Sequence, residues 1–294
     1  MAAPYRYKLR ISGIVIEFVL PESITPPVDM TPFLCEADAT PDDTYTLTLI
    51  TEPLRPSVPM LCKYGEAHIY HTKEGWLHIF PALGDREGCQ VACLFCPDGH
   101  HRLFYPAARW PFYAKQWIFS TMLQGEQLLL RHQAFLLHSS LVELHGKAVL
   151  FSASSGVGKS TQAKLWEQHL GATILNGDRA VIRRTDAGFT AAGSFWSGTS
   201  GIYVPHQAPI AGIILLEQAP ENTIVPVGMD AFKALLCETT VNTWDPAFMA
   251  KITDLICDVM SQIPIYRLRC RPDQAAAELA YHTLFGKERS GCKS

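Results

Sequence analysis

The chain has 294 residues, of which 48% are hydrophobic, 18% charged and 10% aromatic. That is enough apolar material for one large or two modest folded domains and excludes a disordered chain. A formal net charge of −3 argues against nucleic acid as the partner, because backbone recognition needs clustered positive charge. The longest apolar stretch near the start, Ile11–Leu20, is too short for a bilayer and contains Glu17. No signal peptide is visible before it. Nine cysteines, an odd number without an export signal, read as reduced thiols in a cytoplasmic protein.

Residues 1–110 form a β-rich N-terminal domain in this reading. Tyr5–Leu20 is a hairpin turning at Ser12-Gly13. The five prolines between Pro21 and Pro41 dictate a loop. Tyr45–Ile50 alternates threonine with apolar residues, as a half-buried strand does. His68–Tyr70, Trp76–Phe80 and Val91–Phe95 are further short strands, and the run reads as antiparallel. Cys89, Cys93 and Cys96 have the spacing of an iron–sulfur ligand set, and Cys96 with His100 or His101 could hold zinc. As a strand, however, the segment sends Cys96 to the face opposite Cys89 and Cys93. Buried thiols are the alternative.

The texture changes near Trp110, and residues 111–288 form the second domain. One or two helices occupy Phe112–Gln133. Leu136–Leu144 and Ala148–Ser152 form a tight hairpin about His145-Gly146-Lys147. Next come a glycine loop, a helix over Ser160–His169, and strands at Thr173–Leu175, Val181–Arg184, Phe189–Ala192 and Ile210–Leu216. Helices at Met229–Glu238 and Pro246–Gln262, a strand at Ile265–Cys270 and a helix at Asp273–Leu284 complete it.

The segment from Ala153 to Thr161 carries the chemistry. Strand, Ala-Ser-Ser-Gly-Val-Gly-Lys-Ser and helix match the P-loop pattern, with alanine for its first glycine. Glycines let successive backbone N–H groups converge on a phosphate, and the helix adds unpaired N–H groups and its positive end. Ser154, Ser155, Gly156, Val157, Gly158, Lys159, Ser160 and Thr161 are therefore the expected ATP-binding residues. Lys159 would reach the outer phosphates, and the Ser160 hydroxyl would ligate Mg²⁺. Asp178 could accept a proton from an attacking hydroxyl or hold Mg²⁺, or merely cap the turn at Asn176-Gly177. Arg179 could neutralise phosphate charge or make a surface ion pair. Glu217 stands where a second acidic motif would lie, or is a solvated strand end. Ser197, Thr199 and Ser200, among three glycines, could close over substrate or form a polar turn. Arg267 and Arg269 share one strand face, read as solvated.

His138, the hairpin, the glycine loop and Asp178-Arg179 together resemble the kinase domain of HPr kinase/phosphorylase, over about His132–Ile182. The resemblance implies a mixed-sheet α+β or α/β P-loop kinase domain, of the type shared with phosphoenolpyruvate carboxykinase. Gly193–Gly201 and Ala208–Ala219 are similar to a subgroup of short HPr-kinase-like proteins found beside genes for modified peptides. By that resemblance Asp178, His138, Lys159 and Arg179 are catalytic, and Ser160 and Asp178 bind the metal. ATP and Mg²⁺ are the implied cofactors, and the partner is a peptide or protein with a Ser/Thr acceptor. Gly177 stands where HPr kinases have the first of two aspartates, and the basic loop that receives HPr is missing. A small-molecule kinase and a non-catalytic ATP-binding regulator are the competing readings. No membrane partner is expected, and the sequence leaves a homo-oligomer open.

Overall fold

The computed structural model describes residues 4–81, 90–113 and 117–286. The chain divides into two compact units, Met1–Leu128 and Leu129–Ser294. The division falls later than the change of texture at Trp110.

The first unit contains strands β1 (Tyr5–Ile11), β2 (Ile14–Leu20), β3 (Asp43–Ile50), β4 (Cys62–Tyr64), β5 (Ala67–His71), β6 (Trp76–Phe80), β7 (Val91–Phe95) and β8 (His100–Pro106). Short helices α1 (Trp110–Tyr113) and α2 (Trp117–Thr121) follow. Ser12 and Gly13, both at positive φ, turn β1 into β2 as expected, since a two-residue hairpin needs that conformation. The strand order is β1-β2-β3-β8-β7-β6-β5-β4. The sheet is mixed rather than antiparallel, because β2–β3 and β3–β8 run parallel. The proline-rich segment carries the chain back so that β3 runs alongside β2. Tyr7, Phe18, Tyr45 and Phe119 make a chain of aromatic contacts with centroids 4.9–5.7 Å apart, while Leu77, Ile79, Ala92, Leu94 and Cys96 form a separate apolar cluster.

In the second unit, helix α3 (Gly125–Arg131), which begins in the first unit, precedes β9 (Ala134–Leu144), β10 (Lys147–Ser152), α4 (Lys159–Leu170), β11 (Thr173–Asn176), β12 (Arg179–Thr185) and β13 (Gly188–Ala192). Then come β14 (Gln207–Gln218), β15 (Thr223–Pro226), α5 (Asp230–Glu238), α6 (Pro246–Gln262), β16 (Ile265–Cys270) and α7 (Gln274–Phe285). The order is β10-β9-β12-β13-β14-β16-β15, with β11 also on β9 and β10 also on β14. β10 is antiparallel to β9 and parallel to β14, which gives the mixed sheet expected around the glycine loop. The long strands β9 and β14 each change partners along their length. The first half of β9 pairs with β12 and the second with β10 and β11.

Strand alternation sorts the core into two layers. Leu150, Ile213 and Leu215 pack with Leu235, Ile252 and Ile256 of α5 and α6. Their neighbours Val149, Phe151, Ile214 and Leu216 pack with Trp166 of α4 and Ala277 of α7. Helices on both faces of β10 and β14 explain why these strands read as continuous apolar runs. Asp245 caps α6 by accepting from Ala247 N and Phe248 N, and Asp273 caps α7 by accepting from Ala276 N.

Candidate active site around the glycine loop

Residues 153–158 join β10 to α4. Gly156 (φ +83°) and Gly158 (φ +125°) hold conformations that L side chains rarely adopt. Gly158 caps α4 without any side-chain hydrogen bond to the first turn, so the helix's leading N–H groups keep their donors for something else. Gln218, at the end of β14, donates Nε2 to the carbonyls of Gly156 and Val157 (3.4 and 3.3 Å) and pins the loop. Ser154, Ser155, Ser160 and Thr161 are exposed, Val157 half-buried.

Lys159 is buried and folds back over the loop, donating Nζ to Ala153 O at 2.7 Å. Burial pushes its ammonium below the usual lysine range, opposed by the charges of Glu238 and Asp178. Both carboxylates therefore lie within electrostatic reach of the lysine.

Asp178 follows β11 through a turn capped by Asn176. The Asn176 Oδ1 accepts from Asp178 N and Arg179 N (2.9 and 2.7 Å), while its Nδ2 donates to Ser194 O at 2.9 Å. The asparagine thus performs the capping that the aspartate might have done, and the Asp178 carboxylate is released toward His138. His138 Nε2 lies 3.3 Å from Asp178 Oδ1, and Arg179 Nε 3.6 Å from Oδ2. The backbone fixes this juxtaposition: His138 is the register partner of Arg179, and Ser139 N donates to Asp178 O at 2.9 Å. Ser152, the last residue of β10, donates Oγ to His138 O at 3.0 Å. The glycine loop, His138 and Asp178 are consequently neighbours.

Sequence reasoning missed Glu238. This last residue of α5 accepts from His138 Nδ1 at 2.8 Å through Oε2 and from Ser154 Oγ at 3.2 Å through Oε1. Its sequence separation from both partners hides it; a polar residue at the end of an amphipathic helix carries no local signal. A cavity of about 630 Å³ opens here, lined by Ser152–Ser154, Leu215–Glu217, Lys233, Glu238 and Arg267 among others. A second, of about 540 Å³, flanks Gly156, Gly158 and Thr161 on the side of Gln218 and Arg271.

Other candidates fall differently. Glu217 lines the first cavity but pairs with Arg269 at 3.0 Å, both half-exposed. Arg267 also faces that cavity rather than bulk solvent alone. The Ser197–Gly201 segment lies against Asp178: a Cβ on Gly198 would fall 2.4 Å from Asp178 Oδ2. Ser200 Oγ donates to Ser197 O within this turn, and the Thr199 side chain lies outside the described residues. Cys89 also lies outside them. Cys93 is fully buried on β7, and burial pushes its thiol up. The zinc reading at His101 fails on its ring: Nδ1 accepts from Cys96 N at 3.0 Å and Nε2 faces Asp43 Oδ1 at 2.9 Å. Among the described residues no group of three His, Cys, Asp or Glu side chains could hold a metal ion. No described helix is long and apolar enough to cross a membrane.

Fold and site define a mixed α/β domain whose glycine loop, between a strand and a helix, faces a histidine held between two carboxylates. The chain belongs to the SynChlorMet cassette protein ScmC family, whose model matches residues 118–273. Among solved structures it is similar to the Hpr(Ser) kinase/phosphatase from Coxiella burnetii, at 13% identity and a TM-score of 0.32, over 53% of this chain and 90% of that one. No curated protein matches.

Proposed function

We propose that the chain is an ATP-dependent kinase that transfers the γ-phosphoryl group to a serine or threonine hydroxyl of a peptide or protein. The observation that carries this reading is the juxtaposition of an uncapped helix start behind Gly156 and Gly158, a buried lysine over the same loop, and the Asp178 carboxylate within electrostatic reach of that lysine. The donors fit a polyphosphate: backbone N–H groups of residues 154–160 would cradle it, and Lys159 would leave the Ala153 carbonyl to neutralise it. Ser160 and Asp178 would hold Mg²⁺, which when bound supplies charge neutralisation between the phosphates. In the transfer the acceptor oxygen forms a new bond to phosphorus, the bond from phosphorus to the leaving ADP oxygen breaks, and the hydroxyl proton passes to Asp178. Arg179, half-exposed next to Asp178, would offset charge on the transferred group.

Binding of Mg-ATP, followed by mass spectrometry for added phosphate on serine- and threonine-containing peptides, tests the reading. Wild-type protein should bind and transfer, and Lys159→Ala should abolish turnover with the fold intact. Failure of the wild type to bind would refute it. A second reading, a nucleotide-binding regulator, is favoured by Gly177, which supplies no second carboxylate; tight binding without transfer to any acceptor would select it.

A further inference from the structure

Glu238 is oddly placed for a solvated carboxylate. It ends α5, where the helix dipole disfavours negative charge, and its side chain is only 16% exposed. Within α5 the lysine, Lys233, lines the cavity rather than pairing with it in any observed bond. What compensates Glu238 is the pair of bonds it accepts: from His138 Nδ1 at 2.8 Å and from Ser154 Oγ at 3.2 Å. The buried Lys159 ammonium adds an attractive charge.

The two contacts of His138 are unequal. Carboxylates only accept hydrogen bonds, so the shorter contact defines the ring: Nδ1–H donates to Glu238, and Nε2 turns toward Asp178 Oδ1, 3.3 Å away. A carboxylate on one nitrogen fixes the orientation of the imidazole and leaves its other nitrogen turned toward Asp178.

We infer that Glu238 is a positioning residue. With one oxygen it accepts from His138 Nδ1 and keeps the ring turned so that Nε2 faces Asp178; with the other it fixes Ser154 at the entrance of the glycine loop. This role rests on the kinase reading for its consequence, though not for its geometry. The proton leaving the attacking hydroxyl goes to Asp178. The oxygen's electron pair forms the bond to phosphorus as the bond to the leaving nucleoside diphosphate breaks.

Nitrogen chemical shifts of His138 in nucleotide-free protein, under conditions where the ring is neutral, read the tautomer without any catalysis. The wild type should show Nδ1–H. Glu238→Met, which keeps helix propensity and bulk but accepts no hydrogen bond, should revert to the Nε2–H form that free histidine favours. Glu238→Gln should keep Nδ1–H through its amide oxygen. Phosphate release from Mg-ATP should fall roughly 100-fold in kcat for Glu238→Met, a loss typical of a misplaced proton acceptor, with KM changed far less, and Glu238→Gln should recover most of it. A wild-type ring in the Nε2–H form, or a Glu238→Met ring still in the Nδ1–H form, overturns the assignment. Should the wild type not bind Mg-ATP, the kinase reading fails while the tautomer result still decides the role of Glu238.

Discussion

Gly177 tests whether the site's architecture is as tight as it looks. Its φ lies outside the left-handed region and would suit any residue, so a side chain there meets only a packing obstacle. A Cβ would fall 2.4 Å from both Cβ and Oγ of Ser200, and the Cβ, fixed to the backbone, cannot swing away without moving the turn. Gly177→Ala should therefore cost about 1–3 kcal/mol of overpacking, offset by roughly 0.4–1 kcal/mol from the stiffened unfolded chain. Ser200→Gly alone gives up the hydrogen bonds that its hydroxyl donates to Ser197 O and accepts from Ile202 N, about 0.5–1.5 kcal/mol each. In the double variant the obstacle disappears, because the next atom, Ser200 Cα, stands at 3.9 Å, an ordinary contact. Urea denaturation of the four proteins should thus give a favourable coupling of about 1–3 kcal/mol between the two substitutions. Strict additivity of the two substitutions would refute the argument. The same obstacle means that an aspartate at 177 would need the 197–201 turn to retreat from position 177.

Other outcomes follow from single residues. His78 is buried, and burial pushes its imidazole down to about 4 from 6.5. Between those values the unfolded chain binds a proton that the folded one refuses, so the first unit should hold its stability above pH 6.5 and lose about 3 kcal/mol as pH falls toward 4. His78→Gln should flatten this dependence in pH-resolved denaturation. Trp166 is fully buried, edge-on to Phe151 at 5.4 Å; Trp166→Ala should cost about 3–5 kcal/mol by denaturant titration. Asp245→Ala, which removes the α6 cap, should cost about 1 kcal/mol in the same assay.

What could be read from the sequence was local. The Ser12-Gly13 turn, the apolar run of β14 and the strand–glycine–helix order at 147–170 each depend on neighbours a few residues apart, and side-chain periodicity exposes them. β8 and β15 were missed because HHRLFYP and TIVP are short and interrupted by polar residues or proline, and acquire strand character from their partners β3 and β16. The parallel pairings of the first unit likewise arise only in three dimensions. At the candidate site, the adjacent Asn176-Gly177-Asp178 turn was visible, but which of its two acidic or amide side chains would cap was not; the buried Ser194 contact decides it. Glu238 reaches a histidine one hundred positions earlier, and no window on the sequence spans that distance.

β9 passes from one set of sheet partners to the next at Ser139, immediately after His138. The histidine therefore sits at a seam stitched by backbone on both sides, with no loop to absorb slack. Evolution can lengthen the β12–β13 hairpin or redecorate the cavity rim at little cost to the spacing of the candidate site. A single-residue insertion in β9 ahead of His138 would invert the side chains beyond it and carry the imidazole to the opposite layer.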